Sequence, residues 1–261
     1  MKSTADFFAQ AQQCLESVVR PYRRQILAVH GNVEAKIKAD STPVTVLDTE
    51  LEHLMRQALA RFDSSIGFEG EELGKSGNDE TFWLLDPIDG TESFIRGLPF
   101  VRNMATLIDG GQPVFAFVYN PIKDELFTAS KNGGAFKNGQ PIHVSKRPLN
   151  RSWIEISAPI QKPEVMKAVL AVRKRVNAVS MVREFTLVAE GKLDGQLMYK
   201  SGGGPWDYAP RALLAQEAGG KVANIGSDSY DFRNNDILIA NPVIFDDLMA
   251  TVLETERGTA T

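Results

Sequence analysis

Apolar positions in the first thirty residues recur at three- and four-residue spacing. Phe7, Phe8, Ala11, Cys14, Leu15, Val18 and Val19 form one stripe, and Ile26 and Leu27 continue it beyond Pro21. That period predicts an amphipathic helix, kinked or interrupted at Pro21 and ended by His30-Gly31-Asn32. The polar stretch Lys36 to Pro43 reads as a hairpin or a mobile flap. A second helix opens near Thr45. Thr45-Val46-Leu47-Asp48 has capping-box spacing, which places Asp48 in the first turn. Leu51, Leu54, Met55, Ala58, Leu59 and Phe62 supply its apolar stripe.

From residue 82 the pattern shifts towards strands. Phe82-Trp83-Leu84-Leu85 is a short apolar run that stops at Asp86, and Met104–Ile108, Val114–Tyr119 and Leu126–Ala129 are further strand candidates. Gly110-Gly111, Asn120-Pro121, Asn132-Gly133 and Asn138-Gly139 punctuate them as turns. The second half alternates: strands at Trp153–Ser157, Val176–Ser180, Gln196–Tyr199 and Ile237–Ala240, helices at Pro163–Val172, Phe185–Glu190, Trp206–Ala218 and Val243–Leu253. This order predicts a layered α/β (α+β) chain in two parts, 1–150 and 151–261, divided near Pro148–Ser152.

Composition narrows the class. The chain has 261 residues, 43% hydrophobic and 24% charged, which is ordinary globular usage. The net charge of −4 lacks the basic footprint of a nucleic-acid binder. No apolar run approaches the length of a membrane helix, and no secretory signal opens the chain. A single cysteine, Cys14, cannot form an intramolecular disulfide, so a reducing, cytoplasmic setting is expected.

The chemistry lies in carboxylates. His30, His53 and His143 have no catalytic context, and neither a nucleophile elbow nor a Gly-Lys phosphate loop occurs. Asp86-Pro87-Ile88-Asp89-Gly90-Thr91 instead places two acids directly after an apolar strand. Hard divalent cations suit two such acids and an intervening carbonyl. An Asx-type turn is the plainer alternative. Gly70-Glu71-Glu72 is a paired acid in a loop, and Asp207 stands at the start of a helix.

Taken together these segments resemble the inositol monophosphatase family of Mg²⁺-dependent, lithium-sensitive phosphatases. The resemblance rests on Gly70-Glu71-Glu72, on Trp83-Leu84-Leu85-Asp86-Pro87-Ile88-Asp89-Gly90-Thr91, and on Trp206-Asp207 with Glu217-Ala218-Gly219-Gly220. It implies an alternating α/β/α/β/α sandwich, commonly a homodimer, with two or three Mg²⁺ ions. Glu71, Asp86, the Ile88 carbonyl, Asp89 and Asp207 match metal-binding positions. Thr91 and Asp48 match a water-activating pair, to which Glu71 adds orientation. Gly90 and Thr91 match phosphate-holding amides, and Asp207 also borders the substrate. Lys36 or Lys38 lies near the metal-site acids in family members.

The implied substrate is a small phosphate monoester, inositol 1-phosphate by default. Histidinol phosphate and 3′-phosphoadenosine 5′-phosphate are alternatives. From another class comes a regulatory protein contacting transcription machinery. Inositol-hydrolysing members carry an acid shortly before Trp-Asp. Here no acid lies between Asp194 and Asp207, and Lys200 stands in that stretch. If Lys200 faces the pocket, it favours esters with additional anionic or acceptor groups.

Overall fold

A computed structural model describes residues 4–159, 161–179 and 184–257. The chain forms two compact units that divide at Gly134–Gly139. This is earlier than the expected Pro148–Ser152. The physical reason is a buried polar lock. Asp194, fully buried, accepts hydrogen bonds from the Ser145 hydroxyl and the Trp153 amide, and pairs with Arg147 Nε at 2.8 Å. Residues 140–150 are thereby bound to the second unit.

In the first unit, α1 (Thr4–Val29) runs unbroken through Pro21 and buries Ala11, Leu15, Val19, Tyr22 and Ile26. Leu27 falls off this face and is exposed. The polar stretch is a short antiparallel hairpin of β1 (Lys36–Ile37) and β2 (Pro43–Val44). Next comes α2 (Val46–Phe62), which buries Leu47, Leu51, Met55 and Leu59, while Leu54 of the expected stripe is exposed.

The sheet strands are β3 (Gly67–Gly70), β4 (Gly74–Ser76), β5 (Thr81–Asp89), β6 (Arg102–Asp109), β7 (Gln112–Asn120) and β8 (Glu125–Ser130). A short helix α3 (Thr91–Ile95) follows β5. Along the sheet these six strands run β8-β7-β6-β5-β3-β4. The core gathers Leu15 and Ile26 of α1, Leu51 and Met55 of α2, and Trp83, Leu85 and Phe117 of the sheet. Neither β3 nor β4 shows in the hydrophobic pattern, because both are short and glycine-bounded.

The strand β5 does not stop at Asp86. Asp86 still pairs with Met104, and Asp89 pairs with Arg102, across a register shift at Pro87–Ile88. Proline has no amide to give the ladder, so the strand bulges there and resumes.

After the hairpin of β9 (Gly134–Lys137) and β10 (Gln140–Pro141), the second unit contains β11 (Trp153–Ser157), α4 (Pro163–Arg173), β12 (Asn177–Val179), β13 (Gly195–Met198), α5 (Pro205–Glu217), β14 (Lys221–Asn224), β15 (Ile237–Ala240) and α6 (Phe245–Arg257). Its five-stranded mixed sheet has the order β12-β11-β13-β15-β14. Leu238 and Ala240 join the cluster of α4 and α6, whereas Ile237 and Ile239 are buried outside it. Side chains alternate across a strand, so α5 covers the opposite face. The helix expected at Phe185–Glu190 is only a single 3₁₀ turn over Phe185–Leu187. The Glu190 amide still reaches the Thr186 carbonyl, but Gly191 turns the chain at φ +66° and the amides of Lys192 and Leu193 close onto the Leu187 carbonyl, which ends the segment there. Ser180, the end of one expected strand, lies outside the described residues.

Candidate active site

At the carboxyl end of β5 the first unit assembles a polar cluster from three elements. The α2 cap places Asp48, whose Oδ2 accepts from the Thr45 amide at 2.9 Å and from its hydroxyl at 2.5 Å. That leaves Oδ1 directed elsewhere, and Thr91 Oγ1 lies 3.1 Å from it. Thr91 Oγ1 is also 3.0 Å from the Ile88 carbonyl. A hydroxyl has one proton to give, so these two acceptors compete for it. Burial pushes the Asp48 carboxyl above its ordinary range, with Glu72 adding to the push and the Thr45 and Thr91 hydrogen bonds opposing it.

Gly90 makes the turn between Asp89 and α3. Its φ is +85°, and a Cβ there would meet the Phe100 carbonyl at 2.1 Å. Only glycine fits. The first-turn amides of α3 have no acceptor within the helix and are available to an anion.

Asp86 is 1% exposed and Ile88 equally buried. The parallel register Gly70↔Leu85 brings Glu71 level with Asp86, and the Glu71 amide donates to the Leu85 carbonyl at 3.1 Å. Beneath this loop runs Glu52, fully buried, which accepts the Glu72 amide at 2.9 Å and pairs with Arg56 at 2.7 Å. A Cβ at position 70 would lie 1.9 Å from Glu52 Oε1, which explains Gly70.

Two cations face these acids. Lys38 Nζ donates to Glu71 Oε1 at 2.9 Å and to Glu72 Oε1 at 2.8 Å. Burial lowers the Lys38 ammonium, but the two carboxylates outweigh it and raise it overall. Burial raises Glu71, against the lowering effect of Lys38. Arg102, on β6, donates from Nη1 to Asp89 Oδ2 at 2.7 Å. The Asn103 amide group holds the Pro87 carbonyl at 2.6 Å.

Asp48, Ile88 and Thr91 are thus joined by hydrogen bonds, Glu71 and Asp86 by register, and Asp89 and Gly90 by the same turn. Asp207 belongs to the second unit. It stands in the first turn of α5, where Oδ2 accepts the Gly204 amide at 2.6 Å. Lys200 is exposed, and its ammonium lies 5.2 Å from the centre of the Tyr199 ring. Sequence reasoning missed Arg102 and Glu52. Only the i, i+4 spacing of Glu52 and Arg56 offered a signal.

The donor set suits a hard divalent cation. Carboxylate and carbonyl oxygens predominate, and an ammonium already bridges Glu71 and Glu72 where positive charge is demanded.

A profile of the inositol monophosphatase family matches residues 2–257. The chain is 31% identical to an inositol monophosphatase of Mesembryanthemum crystallinum, over 97% of each chain. It is 31% identical to an inositol-1-monophosphatase of Mesorhizobium japonicum, over 82% of this chain and 84% of that one. Its fold superposes on the extragenic suppressor protein suhB of Bartonella henselae with a TM-score of 0.80 at 27% identity, covering 96% and 98% of the two chains.

Proposed function

The chain belongs to the inositol monophosphatase family and is a phosphoric monoester hydrolase, and from that premise we propose that it cleaves a small phosphate monoester with Mg²⁺, taking inositol 1-phosphate among a broad range of esters. The observation that carries this reading is the Thr91–Asp48 hydrogen bond at 3.1 Å, beside the acids of the β5 turn. Glu71, Asp86, the Ile88 carbonyl, Asp89 and Asp207 would hold two or three ions. Bound Mg²⁺ would supply charge that lowers the pKa of the attacking water and polarises the phosphate.

The chain's own groups do the rest. Were the Ile88 carbonyl to hold an ion, the Thr91 hydroxyl would give its hydrogen bond to Asp48. The Thr91 oxygen then presents a lone pair to the attacking water and fixes its direction. Glu71 adds a second acceptor for that water. The amides of Gly90 and Thr91 hold phosphate oxygens at the start of α3, where backbone N–H groups converge. As the water oxygen bonds to phosphorus it gives up one proton, the ester P–O bond breaks, and a solvent water supplies the proton that the leaving alkoxide takes up. No covalent phosphoenzyme is required.

Lys200 favours esters with further acceptor or anionic groups. The absence of an acid between Asp194 and Asp207 supports a permissive pocket. Histidinol phosphate and 3′-phosphoadenosine 5′-phosphate are the closest alternative substrates. No described helix is long and apolar enough to cross a membrane. A cytoplasmic homodimer is the proposed setting. Similarity to the suhB protein favours a second reading, a regulatory binding role. The complete set Glu71, Asp86, Asp89, Thr91 and Asp207 speaks for catalysis.

The test is phosphate release from a panel of monoesters with Mg²⁺, with and without lithium. Asp86→Asn and Asp89→Asn should each nearly abolish release and weaken Mg²⁺ binding by titration, while circular dichroism is unchanged. Retained Mg²⁺-dependent turnover in both variants would sink the assigned site.

A further inference from the structure

One turn along α5 from Asp207, a rise of about 6 Å, stands Arg211. Its guanidinium carbon lies 4.9 Å from the centre of the Phe185 ring and 5.3 Å from that of Tyr208. Two aromatic rings therefore lie against the guanidinium. The Tyr208 ring is itself anchored, because its hydroxyl donates to the Gly202 carbonyl.

No carboxylate among the described residues meets this guanidinium. Arg211 Nε is buried without a hydrogen-bond partner among the described residues, and Arg211 forms no ion pair there. The Tyr230 hydroxyl is likewise buried without a partner, on a residue only 8% exposed. Arg211 is near enough to oppose the upward push that burial gives the Tyr230 phenol. The carboxylates that act on these tyrosines are Asp207, Asp231 and Asp236. Each accepts a backbone amide instead: Asp207 from Gly204, Asp231 from Arg233, and Asp236 from Lys200.

Leaving a buried donor without a partner is costly, and such groups persist where a ligand completes them. A guanidinium packed against two rings offers a planar fork matched to carboxylate or phosphate. Arg211 and Tyr230 supply two such donors, one helical turn from a residue assigned to the reaction centre.

We infer that Arg211, assisted by the Tyr230 hydroxyl, receives a second anionic group of the phosphate ester, a carboxylate or a further phosphate. This rests on the phosphatase reading and narrows its substrate class. Stacking alone would keep Arg211 as packing, and it would not distinguish one ester from another.

The test uses the full chain with two esters of one skeleton, glycerol 3-phosphate and 3-phosphoglycerate, which differ at the carboxylate. Their binding is titrated calorimetrically, and Mg²⁺-dependent phosphate release is followed in parallel. The wild type should bind 3-phosphoglycerate roughly tenfold or more tightly than glycerol 3-phosphate, the scale of a charge-assisted hydrogen bond. Arg211→Met should close that gap and leave glycerol 3-phosphate binding unchanged. Arg211→Lys should restore it in part. Tyr230→Phe, which removes only a hydroxyl, should narrow it several-fold and carries the test if Arg211→Met does not fold. No gap in the wild type, or an equal loss for both esters in the variants, overturns the inference. A preserved gap without phosphate release from any ester of the monoester panel would instead overturn the phosphatase reading.

Discussion

Arg102 Nη1 and Asp89 Oδ2 are 2.7 Å apart, and the arginine side chain is only 3% exposed. A buried cation is thus built into the turn that carries the proposed metal ligands. It holds one Asp89 oxygen and partly neutralises the cluster when no other cation is present. Breaking a buried pair costs about 3–5 kcal/mol, less where one partner reaches solvent, as Asp89 does at 21%. Arg102→Met should therefore lower stability by roughly 3 kcal/mol in metal-free buffer. Saturating Mg²⁺ should recover part of that loss, because it supplies the missing positive charge. Thermal melts with and without Mg²⁺ read both effects. An equal deficit in both conditions would separate Arg102 from the metal site.

The Thr91–Asp48 pair makes a kinetic claim. Thr91→Ala removes the hydroxyl proposed to align water but leaves every proposed ligand oxygen in place. Turnover should fall by about 10²–10⁴-fold, the usual scale for a positioned proton-transfer group. Mg²⁺ affinity, measured by titration, should change little. Asp48→Asn should fall into the same range, since Asn has one acceptor oxygen where Asp48 uses both, and its NH2 would face Thr45 or Thr91 as a second donor. Unchanged turnover in Thr91→Ala would remove water activation from its role.

Lys38 ties the β1–β2 hairpin to the acidic loop through Glu71 and Glu72. The hairpin contributes little of its own: Lys36 and Ile37 are both exposed. Lys38→Met should accordingly speed limited proteolysis between Lys36 and Ser41 several-fold, with the global melting temperature nearly unchanged. Adding Mg²⁺ and phosphate should alter the wild-type cleavage rate, because cations compete for Glu71. Cleavage insensitive to both the substitution and Mg²⁺ plus phosphate would remove any gating by this hairpin.

Much of this site was legible in local spacing. Thr45-Val46-Leu47-Asp48 announced its cap, and Asp48 lies in the first helical turn with both bonds to Thr45. The acids of the β5 turn stood out because they interrupt a buried run. Contacts set by tertiary pairing were not legible. Arg102 reaches Asp89 only because β6 returns antiparallel beside β5, and a lone arginine in an apolar run carries no such message. Glu52 sits on the buried face of α2, where its charge argues against it, and its burial becomes intelligible only with Arg56 and the Glu72 amide beside it. The turn at Phe185 was misread as a helix because apolar spacing over six residues cannot distinguish one turn from two. The division at Gly134–Gly139, ahead of Pro148, has a related cause. The Ser145 and Arg147 bonds to Asp194 span 49 and 47 residues, beyond any local pattern.

Lys200 and Arg211 carry separable predictions about substrate choice. Lys200 has a positive φ of 50°, and its amide donates to Asp236 Oδ1 at 2.5 Å. The backbone is therefore held while the side chain stays in solvent near the Tyr199 ring. A charge so placed acts through space and through salt-screened attraction. Lys200→Glu should lower kcat/KM for 3-phosphoglycerate relative to inositol 1-phosphate by roughly two- to fivefold at low ionic strength, in line with exposed charge pairs. Added salt should shrink that difference. The Arg211 effect should survive salt better, because its donor is desolvated and geometrically fixed. Equal changes in kcat/KM for the two esters would take Lys200 out of the specificity argument and leave the second anionic group to Arg211 and Tyr230.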